Sequence, residues 1–312
     1  MPIFDDRGRK LHYLLRGHGE PVLLIHGLGS SGADWAFQVP LLQQAFRLIV
    51  PDLPGCGYSE RPQGGYSVRA WAESLWRLLD ALGAARANII GFSLGGAVAL
   101  EMALQRPLAV PRLGLINSLA TYRVDHWSKW CRARVDAAMV RLLGIRRTAE
   151  LIAARLFPEV HQEPMRARAR AVIGAVPART YLEMAAALER WSALERLDGL
   201  PCRTVLIAAE YDYTPLAEKR RFAARLRTEI VVVRDSRHGT PFDSIRITNA
   251  TLLALLHDRP LPPETQWLRD DPQESLALQL DQSLAEEHAA IALAAVAQTA
   301  AAAAAAGEFE PG

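Results

Sequence analysis

Gly91-Phe92-Ser93-Leu94-Gly95 sets a serine between two glycines, each two residues away. An aliphatic run, Ala87–Ile90, leads into this segment, and a helical pattern, Gly95–Gln105, leads out of it. A serine on so sharp a strand-to-helix turn is held in a strained backbone, and its neighbours at that spacing must be small. Gly91 and Gly95 meet that need, and Gly96 lets the helix approach the sheet closely. The turn also puts Ser93 at the positive end of a helix, which favours developing negative charge. The bland alternative is a glycine-rich turn with an incidental serine, and the flanking strand and helix patterns argue against it.

A serine hydroxyl is a weak nucleophile at neutral pH and needs a positioned base. Of the eight histidines, His238 is best placed, in the loop Asp235–Pro241 that follows an aliphatic strand. His12, His18, His126, His161, His257 and His288 sit in polar or helical surroundings and read as surface residues. The imidazole in turn needs a carboxylate to fix its tautomer. Asp212, in the loop after Thr204–Ala209, is preferred over Glu210, Asp235 and Asp243, because closeness along the chain does not set the geometry of such a group. Acyl transfer through these residues would create an oxyanion and call for two preorganised donors. The backbone N–H groups of Leu94 and of Leu28, in the loop His26–Ser31, are the candidates, with Gly27 and Gly29 freeing that loop and His26 shaping it.

Positioning these residues takes a particular set of elements. Pro21–His26 and Arg47–Pro51 read as strands, Asp34–Ala45 and Val68–Leu82 as helices, and Leu113–Ile116 as a further buried strand. Short aliphatic strands alternating with helices predict a mostly parallel, doubly wound α/β sheet covered on both faces. Residues 122–198 show helical patterns only, and strand character resumes at Thr204–Ala209 and Glu229–Val233 before a closing helix, Ile247–Leu256. The expected organisation is a core of residues 1–121 and 199–259 with a helical cap, 122–198, inserted before the last strands. Residues 260–312 then form an alanine-rich C-terminal extension, helical or partly disordered, with a possible helix over Leu276–Val296.

Composition bounds the function. With 50% apolar and 22% charged residues over 312 positions, the chain can bury a sizeable core. A formal net charge of +2, without a basic arm, does not suggest nucleic acid. Three scattered cysteines, Cys56, Cys131 and Cys202, suggest neither a disulfide framework nor a metal knuckle and fit a reducing cytoplasm. The first ten residues lack the apolar run of a secretory signal, and Ala289–Ala306 is too alanine-rich to insert well into a bilayer.

HGLGSS, DLPGCGYSE, GFSLGG, AAEYDYTP and SRHGTP occur together, in order. By these five motifs the chain resembles the α/β-hydrolase superfamily over Ile3–Leu256, and within it the capped esterase, enol-lactonase and cofactor-free haloperoxidase-like group. The resemblance implies a triad of Ser93, Asp212 and His238, oxyanion donors at Leu28 and Leu94, and no cofactor or metal. Asp52 falls where the family has a D-x-P-G-x-G loop, which it would hold by accepting backbone N–H groups. Phe92 stands where the family often has histidine.

The implied activity is cleavage of a small carboxylic ester or lactone through an acyl-enzyme. C–C bond hydrolysis, acyl transfer and perhydrolysis would use the same triad, and a non-catalytic binding module on the scaffold is the reading from another class. Phe92, Trp127, Trp130 and Trp191 are candidates to line the substrate pocket, although cap aromatics serve equally to pack the cap on the core. Arginines crowd the insertion, among them Arg132, Arg134, Arg141, Arg146, Arg166 and Arg168. They read as a solvated basic face, with attraction of anionic substrates or lipid head groups as the alternative.

Overall fold

The computed structural model describes residues 2–197 and 199–273. The chain divides into a unit Met1–Asp270 and a second unit Asp271–Gly312. The helix expected over Leu276–Val296, the alanine run and His288 lie outside the described residues.

Eight strands form one sheet: β1 (Ile3–Asp5), β2 (Lys10–Arg16), β3 (Glu20–Ile25), β4 (Phe46–Pro51), β5 (Asn88–Phe92), β6 (Arg112–Ile116), β7 (Arg203–Ala209) and β8 (Glu229–Val233). Their spatial order is β1-β2-β4-β3-β5-β6-β7-β8. The pairs β1/β2 and β2/β4 are antiparallel and all later pairs are parallel. The helices are α1 (Val39–Leu42), α2 (Val68–Ala81), α3 (Leu94–Gln105), α4 (Trp127–Leu156), α5 (Glu163–Gly174), α6 (Ala178–Glu189), α7 (Leu216–Leu226), α8 (Thr240–Asp243) and α9 (Ile245–Leu256). This is the mostly parallel α/β sheet expected, with a helical insert, α4–α6, after β6.

Both faces of the sheet are buried, so its strands read as continuous aliphatic runs. Along β3 the side chains alternate: Leu23 and Ile25 join the apolar cluster under α2 and α3, while Val22 and Leu24 join the one under α9. Helix α2 shows how local sequence sets an element. The Ser67 side chain caps its start by accepting from the Ala70 N–H at 3.0 Å, and Gly83, at φ +64°, follows its end. Trp71, Leu75, Trp76 and Leu79 recur at helical spacing on its buried face, each contributing on the order of 1.5–3 kcal/mol by leaving water.

Several expectations need correction. The helix expected over 34–45 is only a 3-10 turn at Gly32–Trp35 and the single turn α1, because Pro40 lacks an N–H and its ring obstructs the preceding turn. Strands β1 and β2 and helix α7 were not expected at all. In α7 the buried residues are Lys219, Phe222 and Ala223, too polar a set to announce a helix by hydrophobic period. Residues 260–270, expected within the extension, are tied to the core: Leu268 bridges Arg234 beyond β8, and Asp270 accepts the Ile245 N–H at 2.6 Å. No described helix is long and apolar enough to cross a membrane.

The insert leaves and re-enters the core through one neck. Tyr122 N–H donates to the Trp191 carbonyl at 3.1 Å, Ala193 N–H donates to the Ala120 carbonyl at 2.8 Å, and Thr121 and Ser192 form an antiparallel bridge. Within the insert, α4 breaks at Gly144, whose φ of 77° and ψ of 161° only glycine adopts easily.

The short helix α8 carries a buried acid. Asp243 Oδ1 accepts from the hydroxyls of Ser236 at 2.9 Å and Ser244 at 2.8 Å, while Oδ2 has no partner among the described residues. Burial pushes this carboxyl up to about 7. A carboxyl raised in the folded state contributes stability below its unfolded value, and that contribution is lost as pH rises through the folded one. Unfolding free energy should therefore decline between about pH 4 and about pH 7 on account of Asp243. Urea titrations across that window should show the decline reduced in Asp243→Asn.

Candidate active site

Strands β3, β5, β6, β7 and β8 end level with one another: Ile25 pairs Gly91, Phe92 pairs Ile116, Ile116 pairs Ile207, and Ala209 pairs Val233. Every candidate residue named from the sequence for chemistry sits just beyond that edge, where open α/β sheets bind ligands.

Ser93 occupies the turn between β5 and α3 with φ 55° and ψ −116°, a conformation costing on the order of 1–3 kcal/mol in a non-glycine residue. Its N–H donates to the Ile116 carbonyl at 2.9 Å, so the strained residue is tied to the neighbouring strand. The glycines around it are required by space. A Cβ on Gly91 would come within 2.2 Å of the Gly95 carbonyl oxygen, and one on Gly95 within 2.1 Å of the Ile25 carbonyl oxygen. A Cβ on Gly96 would strike that of Ser118 at 2.4 Å, so α3 can approach β6 only through glycine.

The three residues expected to act together meet. Ser93 Oγ lies 2.9 Å from His238 Nε2, and His238 Nδ1 lies 2.9 Å from Asp212 Oδ1. With Asp212 ionised, Nδ1–H is the donor, which leaves the Nε2 lone pair toward Ser93. All three side chains are buried. The rival acids are engaged elsewhere. Glu210 accepts the Asp235 N–H at 3.0 Å, and Asp243 takes the serine hydroxyls described above.

Asp212 has a second partner, a cation, that sequence patterning did not reveal. Lys219 of α7, fully buried, donates to Asp212 Oδ2 and, at 3.1 Å, to Asn117 Oδ1. The Thr214 hydroxyl donates to Oδ2 at 2.8 Å. Burial pushes the Asp212 carboxyl up, but the charges and hydrogen bonds of His238 and Lys219 outweigh it and hold the group well below the usual carboxylate range. Burial acts oppositely on Lys219, drawing its ammonium below the usual lysine value although Asp212 favours the charge.

Asn117, at φ 47° just after β6, joins these parts. Its Nδ2 donates to the His238 carbonyl at 2.8 Å and to Thr240 Oγ1 at 2.7 Å. Its Oδ1 accepts the Ala209 N–H at 2.8 Å as well as the Lys219 ammonium. One buried amide thus fixes the loop of His238, the end of β7 and the lysine behind Asp212.

The loop after β3 lies against the serine. A Cβ on Gly27 would be 3.6 Å from Ser93 Cβ and 3.3 Å from the Phe92 ring. No described residue accepts from the N–H of Leu28 or Leu94. His26 shapes the loop as expected: its Nε2 accepts the Leu53 N–H at 2.9 Å, so Nδ1–H donates to the Gly27 carbonyl at 2.8 Å. Asp34 was not anticipated; its carboxylate accepts the Gly27 N–H at 3.2 Å and the Ser30 hydroxyl. Asp52 holds its own loop, accepting Gly32 N–H at 2.7 Å and Tyr58 N–H at 2.9 Å. It also meets His12 Nδ1 at 2.9 Å, so His12 is a partly buried strand residue rather than the surface residue expected.

The aromatic candidates separate. Phe92 stands at the site, its ring 5.2 Å from that of His238 and 6.1 Å from that of Phe242. Trp127 and Trp130 lie on the open face of α4, 72% and 52% exposed, the second under Arg134. Trp191 is buried at the neck of the insert, where its Nε1–H donates to Glu101 Oε2 at 2.9 Å. Their exposure and bonding suit these three to the surface and to anchoring, not to pocket lining. The insert reaches the site through two other rings. Tyr181 lies where a Cβ on Gly29 would meet it at 2.9 Å, and Phe157 where one on Gly239, beside His238, would meet it at 2.6 Å. The arginines of the insert are not all solvated: Arg168 donates to the Ala33 carbonyl at 2.9 Å, and Arg166 to those of Phe157 and Glu159.

A family model described as the alpha/beta hydrolase fold matches residues 20–166. The chain is similar to RutD of Caulobacter segnis, whose name assigns it carbamate hydrolysis, at 31% identity over 216 residues, 66% of this chain and 79% of that one. It is similar to the 2-hydroxy-6-oxo-2,4-heptadienoate hydrolase of Pseudomonas putida at 39% identity over 107 residues, 33% of this chain and 39% of that one. Several curated relatives, this one included, are matched over only 33% to 39% of their own length. Among solved structures, a thermophilic esterase from Thermogutta terrifontis superposes with a TM-score of 0.73 at 28% identity, over 80% of this chain and 94% of that one.

Removing one member of a fully buried ion pair strands the other, at about 3–5 kcal/mol. Lys219→Met should lower the unfolding free energy by about that much at neutral pH, read from urea titrations. A change below about 1 kcal/mol would mean that the lysine charge contributes little to holding Asp212.

Proposed function

Because the chain belongs to the α/β-hydrolase fold family, we propose that it hydrolyses a small carboxylic ester or lactone through an acyl-enzyme on Ser93. The observation that carries this reading is the unbroken run of contacts, each 2.9 Å, from Ser93 Oγ through the His238 ring to Asp212. Ser93 Oγ attacks the carbonyl carbon while His238 Nε2 takes the hydroxyl proton. The oxyanion accepts from the N–H groups of Leu28 and Leu94. On collapse the carbon–oxygen bond to the alcohol breaks, and that oxygen takes the proton from Nε2. Water then gives a proton to Nε2, its oxygen bonds to the acyl carbon, and Ser93 leaves with the proton returned. Asp212 keeps the ring in the tautomer that all of these transfers need and stabilises the imidazolium between them.

C–C bond hydrolysis is the second reading, favoured by the similarity of part of the chain to the heptadienoate hydrolase. It draws on the same three residues, so substrates rather than variants distinguish it. A panel of p-nitrophenyl esters, lactones and vinylogous diketones would separate the two.

By the precedent of serine proteases, Ser93→Ala should lower kcat by on the order of 10⁶ and Asp212→Asn by about 10³ to 10⁴. A fluorophosphonate should label the wild-type protein at Ser93 and leave Ser93→Ala unlabelled, as judged by intact mass and peptide mapping. Esterase activity surviving in Ser93→Ala, or label persisting in it, would refute the assignment.

A further inference from the structure

His238 Nε2 has two hydroxyl neighbours. Tyr213 Oη lies 2.9 Å from it, as close as Ser93 Oγ. Since Nδ1–H donates a hydrogen bond to Asp212, a neutral ring offers a single lone pair at Nε2, and two hydroxyls at equal distance compete for it. The Tyr213 ring leans on the imidazole, with centroids 4.2 Å apart and planes inclined by 35°. Burial of the hydroxyl and the nearby Asp212 charge push the phenol well above its usual range, so it stays protonated.

The position beside Nε2 is not neutral ground. The departing alcohol oxygen must come within hydrogen-bond reach of Nε2 to take its proton, and the attacking water must do the same to lose one. The Tyr213 hydroxyl stands within that reach. Among the described residues its hydrogen-bond partner is His238. The residue as a whole is 44% exposed, so the ring has solvent to turn into. It sits in the loop between β7 and α7, next to Asp212, whose side chain is fixed by Lys219 and Thr214 whatever the tyrosine does.

We propose that Tyr213 determines which second oxygen reaches the acyl-enzyme, its hydroxyl filling the place beside His238 Nε2 until an incoming or departing oxygen displaces it. This rests on the acyl-enzyme reading above. Tyr213 neither supplies nor accepts a proton in either half-reaction; the transfers remain between Nε2, Ser93 Oγ, the alcohol and water. Water displaces only one hydrogen bond, whereas a larger alcohol must turn the whole ring outward. The enzyme is therefore biased toward hydrolysis over acyl transfer, by a residue that is not itself part of the proton relay.

Two measurements on the full chain test this. In the first, a p-nitrophenyl phosphonate reacts with wild type, Tyr213→Phe and Ser93→Ala, and p-nitrophenolate release is followed. Tyr213→Phe should react about two- to tenfold faster than wild type, the rate equivalent of one neutral hydrogen bond removed. In the second, p-nitrophenyl butyrate is turned over in the presence of 1-butanol, and butyl ester is compared with butyric acid. Tyr213→Ala should raise that ratio by about two- to tenfold, which a merely structural role would not do. Tyr213→Phe reacting at the wild-type rate or slower, or an unchanged product ratio in Tyr213→Ala, would overturn the proposal while leaving the acyl-enzyme intact. Failure of the phosphonate to modify Ser93 in the wild type would instead remove the reading on which it rests.

Discussion

A carboxylate buried without water must be matched on every oxygen, and the site is organised around meeting that demand at Asp212. One oxygen accepts from His238, and the other from Lys219 and Thr214. Burying an ion is unfavourable by several kcal/mol unless partners compensate it, so each partner's position becomes a condition of folding as well as of chemistry. The partners come from three places in the chain: the loop after β7, helix α7 and the loop after β8. Asn117, from a fourth, binds two of them together. Folding the polar cluster correctly therefore delivers the imidazole to Ser93, and a chain with His238 misplaced would also be a less stable protein.

The serine obeys a different constraint. Its backbone is strained, and the strain is held by the parallel sheet on one side and α3 on the other. Gly91, Gly95 and Gly96 allow three backbones to approach until no Cβ would fit. A packed interior yields little to such pressure, so the hydroxyl is carried on a nearly rigid mount while the base arrives on a loop.

The parts readable in the sequence are those whose reason is local. Glycines around Ser93 answer a steric need two residues away, and the aliphatic runs that become β3 to β8 answer burial on both faces of a sheet. His238 and Asp212 could be placed because each follows such a run. Lys219 and Asn117 could not, because neither sits in a pattern that marks it: they meet across 102 residues, and even the Lys219–Asp212 pair, seven residues apart, joins a loop to a helix that no apolar stripe announces. Lys219 even hid its own helix, since a lysine on the buried face of α7 spoils the apolar stripe by which helices are recognised. The tryptophans misled for a related reason: aromatic content tells that a surface will be covered or a neck anchored, not which ring faces the serine. Tyr181 and Phe157 carry no such mark in the sequence; they cover Gly29 and Gly239.

That last contact bears on how selectivity is built. Gly29 and Gly239 flank the site from opposite sides, one beside Leu28 in the loop of the expected oxyanion donors, the other beside His238, and each is covered by a ring from the insert. The insert thus touches both of these loops, while Trp191 at its neck is held by Glu101. A change in the shape of α6 would be felt at the Gly29 loop, and one at the end of α4 at the Gly239 loop, without altering Ser93, His238 or Asp212. The rings over Gly29 and Gly239 and the tyrosine beside Asp212 are therefore the places where a substitution would alter the surroundings of Ser93 while leaving Ser93, His238 and Asp212 themselves in place.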